Sequence, residues 1–542
     1  MSGIKFITVI MLVFAAFRGI ALEQQRRADE KVGEVNFSTS CNDSAQIEIN
    51  HAVALLHSFD FSRAIDAFNA GLGKDETCAI AYWGIALSDW GNPFAPGIID
   101  KRLLQLGREN AERGENLGAK TDRERAYLAA VGNLYEHFES TPQKARMLTY
   151  RNAMRDVAAK YPEDHEATIF YALALAVAAD PGDKTYADQL EAGRILEKLF
   201  VQEPTHPGLA HYIIHAYDVP ALAGQALSAA QRYSEIAPDA PHALHMPSHT
   251  FTRLGYWQAS INSNVAAAAA ARRQGQTAEE LHASDYETYA FLQTAQDEAA
   301  GRIARSLPEI ASRFDPKALL IGAGPPAAGY FALAAIPARY ALERRDWHQA
   351  ELLALRETPV PFADAITWFA RGLGAARLGH TAGANEAATA LKLIQERLLS
   401  AKDMYWARQV EIQALVVTAW SVLATGAREE ALRQMQAAAE MEDGTEKSVV
   451  TPGSLSPARE LMGEMFLELN DPASALEQFE AALEKEPRRF RSVYGAAHAA
   501  QLVGSTGTSQ RYFRELLEVC ANADTARPEL KQARDALAKQ KN

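Results

Sequence analysis

Residues 206–220, HPGLAHYIIHAYDVP, and residues 240–257, APHALHMPSHTFTRLGYW, decide how this chain is read. Pro207 and Pro241, His211 and His245, and His215 and His249 stand in register, each pair 34 positions apart. That length is one helix–turn–helix unit of a stacked array in which equivalent helices lie side by side. Histidines in register then form a ladder on one surface. A third segment, LHASDYETYAFLQ at 281–293, adds His282 and Asp285. Of 14 histidines in the chain, seven fall between positions 206 and 282.

The same unit recurs outward from this centre. FSRAIDAFNAGL at 61–72 places Ala64, Phe68 and Leu72 on one helical stripe. AYWGIALSDWGNPF at 81–94 pairs a large with a small packing residue, Trp83 and Gly84, and NDPASALEQFEAALEKEP at 470–487 sets Ala475, Phe479, Ala482 and Pro487 in the order of a tetratricopeptide repeat. No period-2 strand pattern bounded by hairpin turns occurs. The expected fold is all-α, a tetratricopeptide-like helical-repeat solenoid wound as a superhelix of antiparallel helix pairs.

Its expected organisation is a signal peptide at 1–21, a disordered lead at 22–40, an N-terminal repeat array at 41–300 with the His-rich centre at 206–285, a Gly/Pro-containing connector at 301–343, a C-terminal array at 344–520 and a charged tail at 521–542. The signal peptide rests on Lys5, the apolar run from Phe6 to Phe17, and the small residues Gly19 and Ala21. Twelve apolar residues are too few for a bilayer, which takes roughly 20. The mature chain is expected to be periplasmic or secreted, with no membrane span. In an oxidising space Cys41 and Cys78, about one repeat apart, are disulfide candidates, the alternative being two buried thiols; Cys520 is left over.

A net charge of −13, with no basic stripe, argues against a nucleic-acid partner. The residues that carry chemistry are in the centre. His211 with His215, and His245 with His249, are i, i+4 pairs whose rings leave one helix face, and His282 with Asp285 are i, i+3. His211, His215, His245, His249, His282 and Asp285 are therefore the candidate ligands of a transition metal, zinc, copper or iron. The alternative for any single helical histidine is packing or a structural hydrogen bond. Pro247 interrupts the second pair, and a helix starting at Pro247 leaves His245 on the turn before it. Tyr171, Asp218 and Tyr286 are candidate catalytic residues, Asp218 having helix capping as its alternative role. Whether His206 and His242 join the cluster stays open, as do roles for His57, Arg253 and Arg339.

Across nearly the whole mature length, the chain resembles a family of exported bacterial tetratricopeptide repeat proteins. The likeness rests on Cys41 and Cys78, AYWGIAL at 81–87, NPF at 92–94, HYIIHAYD at 211–218, APHALHMPSH at 240–249, the His-x-x-Asp-Tyr segment at 282–286, and the Arg-Phe-Arg and Tyr-Gly-Ala-Ala elements within 489–497. The resemblance implies the fold and export and assigns no activity.

Two functions from different classes follow. One is a solenoid binding a protein, peptide or small molecule in its concave groove, with a multi-His metal site. The other is a metal-dependent hydrolase or oxidoreductase using the His/Asp cluster. The HxxxH pairs lack the glutamate of a zinc-protease helix, no Ser-His-Asp or Cys-His set is present, and GAGPP at 322–326 lacks the spacing of a phosphate loop. Metal storage calls for more Met and Cys than Met246 alone.

Overall fold

In the computed structural model, residues 30–95, 99–318 and 322–539 are described. Among them every regular element is helical, and each helix packs against its successor as in antiparallel repeat arrays. At two of these pairs a glycine on one helix receives an aromatic ring from the helix before it. A Cβ on Gly84 would lie 2.0 Å from the Phe68 ring, and one on Gly495 would lie 2.4 Å from Phe479, so no larger residue permits these approaches. Trp83 beside Gly84 is fully buried, stacked 5.0 Å from Phe37 and edge-on to Tyr127 and Phe170.

There are two large apolar cores, one built from residues between 32 and 251 with Ala323 and one from residues between 328 and 465, and smaller clusters beside them. The C-terminal repeats fold back onto the centre of the chain. Trp257 donates its indole N–H to the Arg488 carbonyl at 2.9 Å, and Arg489, fully buried, binds Glu460 (2.8 Å), the Tyr289 hydroxyl (2.9 Å) and Glu343. Arg491 donates to the Glu343 carbonyl at 2.8 Å. These contacts account for the Arg-Phe-Arg element: it ties the last repeats to helices nearly 150 to 200 positions upstream. The non-helical stretch 444–457, between helices Arg428–Asp443 and Ala458–Glu468, runs across the inside of the curl.

Three expected boundaries change. The lead is ordered from residue 30 within the described part: Phe37 is fully buried, Val32 nearly so, and Glu34 donates its N–H to the Thr205 carbonyl at 3.1 Å. A polar composition concealed two apolar anchors that the Trp83 face and the neighbouring helices cover. The connector at 301–343 is mostly two repeat helices, Asp297–Arg313 and Pro326–Leu342, each carrying an internal proline, and among its described residues 314–318, 322–325 and Glu343 depart from helix. The charged tail contains helix Pro528–Ala538, docked through buried Leu530 and Ala533, and Arg527 pairs with Asp297. The signal peptide at 1–21 and the lead before residue 30 lie outside the described residues. Cys41 and Cys78 are joined, their Cα atoms 5.0 Å apart, and Cys520 is a buried free thiol. Among the described residues no helix is long and apolar enough to cross a membrane.

Candidate metal centre

Helices Pro207–Ala216, Pro241–His245, Pro247–Arg253 and Thr277–Gln293 bring the histidines together. Pro247 opens its helix at the first position, where its missing N–H costs nothing. Met246 between the two short helices keeps right-handed helical angles (φ −53°, ψ −36°), so His245 and His249 still face one side. Their ring centroids are 5.0 Å apart, and those of His211 and His215 are 4.9 Å apart. The ladder is real but interior: all of these rings are buried, the most exposed being His215 at 8%.

The imidazoles form two trios rather than one site. His245, His249 and His282 offer ligand atoms within 4.8 Å of one another, and so do His211, His215 and His242. Asp285 leaves the set. Its oxygens face Arg339, at 2.8 Å from Nε and 3.4 Å from Nη2, and both side chains are fully buried. His242 belongs to the set, although it stands 31 rather than 34 positions after His211. The one available signal was its i, i+3 spacing to His245.

In the first trio the ring orientations are held from outside. Asn264 donates from Nδ2 to the Ser260 carbonyl at 2.7 Å, which turns its Oδ1 toward His245 Nδ1, also at 2.7 Å. His245 therefore carries its proton on Nδ1. His249 Nδ1 lies 2.9 Å from Asp218 Oδ2 and donates to it. Both protons are thus assigned, and both Nε2 atoms carry lone pairs, yet those two atoms are 3.1 Å apart. Two lone pairs at that distance repel; a cation accepting both removes the repulsion.

Electrostatics keep the rings neutral. Burial is the largest effect, holding His211, His215 and His245 well below the ordinary imidazole range. It pushes His249 down to about 4 against the pull of Asp218, and His282 to about 3 against Glu279. A neutral imidazole is the form that ligates metal. For Asp218 burial raises the carboxyl's affinity for a proton, but Lys447, Arg253 and His249 together outweigh it and hold the group well below its ordinary value. Arg253 donates to Asp218 from Nε at 2.9 Å, and Lys447 Nζ lies 3.5 Å away, pushed down to about 8 by burial. Asp218 thus orients a histidine rather than capping a helix.

Tyr286 stacks on His249 (4.9 Å between centroids), and its hydroxyl lies 2.9 Å and 3.0 Å from the Val449 and Thr451 carbonyls. It anchors the 444–457 stretch over the site. Tyr171 is half-buried against the N-terminal core and packs with it. His206 joins a different group: Glu166 accepts from His57 Nε2 at 2.8 Å and from His206 Nε2 at 2.9 Å, while His57 Nδ1 meets the Tyr212 hydroxyl at 3.0 Å. Each Glu166 oxygen has an imidazole partner and His206 Nδ1 has none, and the ligand atoms of His57, Glu166 and His206 also lie within 4.8 Å of one another, a third buried group. Asn264, Glu279 and Lys447 are participants that sequence spacing did not indicate, lying outside the histidine register.

A cavity of about 20 Å³ touches His215, His242, His249, His282 and Met246, room for about one water. A larger pocket of about 370 Å³ shares Asn92, Ala95, Ala323, Gly324 and Pro325 with it. On the other side, Arg253 and Lys447 border a concave pocket of about 350 Å³ with Tyr405 and Glu442. The histidines themselves are not on that open surface.

No protein-family model matches the chain, and no curated protein does. Among solved structures it is similar to the human IFIT1 dimer with m7Gppp-AAAA (10% identity, TM-score 0.36, covering 89% of this chain and 96% of that one). It is also similar to the APC/C hetero-tetramer Cut9-Hcn1 (13% identity, TM-score 0.34, covering 91% of this chain and 89% of that one). The architecture is a tetratricopeptide-like helical-repeat solenoid.

Proposed function

We propose that this is an exported helical-repeat protein that holds a transition-metal ion at His245, His249 and His282 and binds a small molecule beside it. The observation that carries the reading is the pair of Nε2 atoms 3.1 Å apart, with both Nδ1 protons committed to Asn264 and Asp218. Outer partners that fix tautomer and ring angle are the ordinary companions of metal-bound histidine. Imidazole nitrogen suits zinc, copper or iron. The ion would hold the three rings together; this chain's own groups orient them, and the 444–457 stretch excludes water. A small-molecule ligand is favoured over a partner protein because the pocket that shares walls with the His cavity, at about 370 Å³, has the size of a small-ligand site.

Export is supported by the apolar leader sequence and by the joined Cys41 and Cys78, which suit an oxidising compartment. Mass spectrometry of the secreted chain should find its first residue at Leu22.

The metal reading is tested by elemental analysis of untagged protein purified without chelator, beside His245→Ala/His249→Ala. At least one equivalent of metal in the parent, falling by one equivalent in a still-helical variant, is the expected result. A folded parent that takes up no transition metal from solution overturns it.

A further inference from the structure

The second trio has no role in the site just described. His211 donates from Nδ1 to the His57 carbonyl at 2.6 Å, and His242 Nδ1 lies 2.8 Å from Glu279 Oε1. Those contacts leave Nε2 of each ring as a lone pair, and neither atom has a partner in the protein. His215 is stacked face-to-face on Phe94 at 4.0 Å, and neither of its nitrogens has a partner. Four imidazole nitrogens of one trio are thus buried without partners, and a buried polar atom left so carries its desolvation penalty uncompensated unless something binds it. In the His57–Glu166–His206 group, by contrast, both nitrogens of His57 have side-chain partners, Glu166 and Tyr212, and only His206 Nδ1 is left without one.

The two trios also face each other. The rings of His215 and His249 are 6.1 Å apart and those of His242 and His245 are 5.8 Å apart. The cavity of about 20 Å³ takes His215 and His242 from one trio and His249 and His282 from the other. We propose that His211, His215 and His242 bind a second metal ion, making the centre a pair of ions on either side of a cavity that admits one small bridging ligand, and that the pair is copper. The inference rests on the metal reading of the first trio.

The choice of ion follows from charge and softness. All six candidate ligand atoms are imidazole nitrogens, and the carboxylates of Asp218 and Glu279 contact the Nδ1 atoms of His249 and His242, behind the rings. The cost of burying an ion rises with the square of its charge, so a buried pair without a directly bound anion favours monovalent copper over divalent ions. Harder ions prefer carboxylate and carbonyl oxygen, of which neither trio supplies any, and Met246 adds a soft thioether to the cavity wall.

The test loads the full mature chain with Cu(I) under ascorbate and measures bound copper after desalting, with Zn(II) loading in parallel. The parent should hold two equivalents of copper. His211→Ala/His242→Ala and His245→Ala/His249→Ala should each hold one. After oxidation, the parent should give little Cu(II) paramagnetic signal because the paired spins couple, whereas each variant should give a full one-copper signal. One equivalent in the parent, unchanged in His211→Ala/His242→Ala, sinks the second site and leaves the first intact. No metal in the parent sinks both readings. Two equivalents of zinc that copper fails to displace overturn the choice of ion. The parent's stoichiometry and paramagnetic signal decide the matter even if a variant does not fold.

Discussion

Replacing Asp285 by alanine should loosen the cover of the centre while leaving its metal content unchanged. Arg339 is fully exposed to no solvent: its guanidinium meets Asp285 at 2.8 Å, Thr451 Oγ1 at 2.8 Å and the Gly453 carbonyl at 3.1 Å. Two unit charges about 4 Å apart at an effective dielectric near 20 attract by about 4 kcal/mol. Stranding one member of such a pair costs about 3–5 kcal/mol. Because Arg339 holds Thr451 and Gly453, the loss falls on the 444–457 stretch. At about 1.4 kcal/mol per tenfold, hydrogen-exchange protection there should drop between a hundredfold and a few thousandfold. Asp285→Ala/Arg339→Met, which removes both charges, should recover most of it. Asp285→Ala with unchanged protection but lost metal would refute the reasoning and return Asp285 to the ligand set.

Asn264→Ala removes the acceptor that sets the His245 tautomer and should weaken metal affinity about 10–100-fold in a chelator competition, with helicity retained; affinity within about twofold of the parent would count against it. Burial pushes the Glu442 carboxyl from 4.5 to about 7, despite the hydrogen bonds it accepts from the Ala458 N–H and Ser454 hydroxyl. Its raised folded-state value means its contribution is fully present below pH 4.5 and is lost as pH rises to about 7, roughly 3 kcal/mol in all. Glu442→Gln should flatten urea midpoints across that window, and an unchanged slope would disprove the assignment. Cys41→Ser/Cys78→Ser opens a loop of 37 residues and should cost about 4 kcal/mol, read as a lower melting temperature equal to that of the reduced parent.

The class of fold was legible because it depends on local periodicity. The 34-residue register, Trp83 beside Gly84, and Ala475 with Phe479 state which faces pack, and helix pairs satisfy such faces with near neighbours. The limits of disorder and linkers were not legible. Phe37 finds Trp83, and Arg527 finds Asp297, 230 positions away, contacts that no window of sequence contains.

The i, i+4 spacing by itself determined that His211 lies by His215 and His245 by His249, since a helix puts those positions on one face. Only the tertiary structure decided the rest. It divided the rings into two trios, brought His242 in, gave Asp285 to Arg339, and set the protons of His245 and His249 through Asn264 and Asp218. A spacing rule fixes the face from which a side chain leaves. What that side chain meets depends on elements 19 to 163 positions away, from Asn264 behind His245 to Val449 above Tyr286, and on the low-dielectric interior they create together.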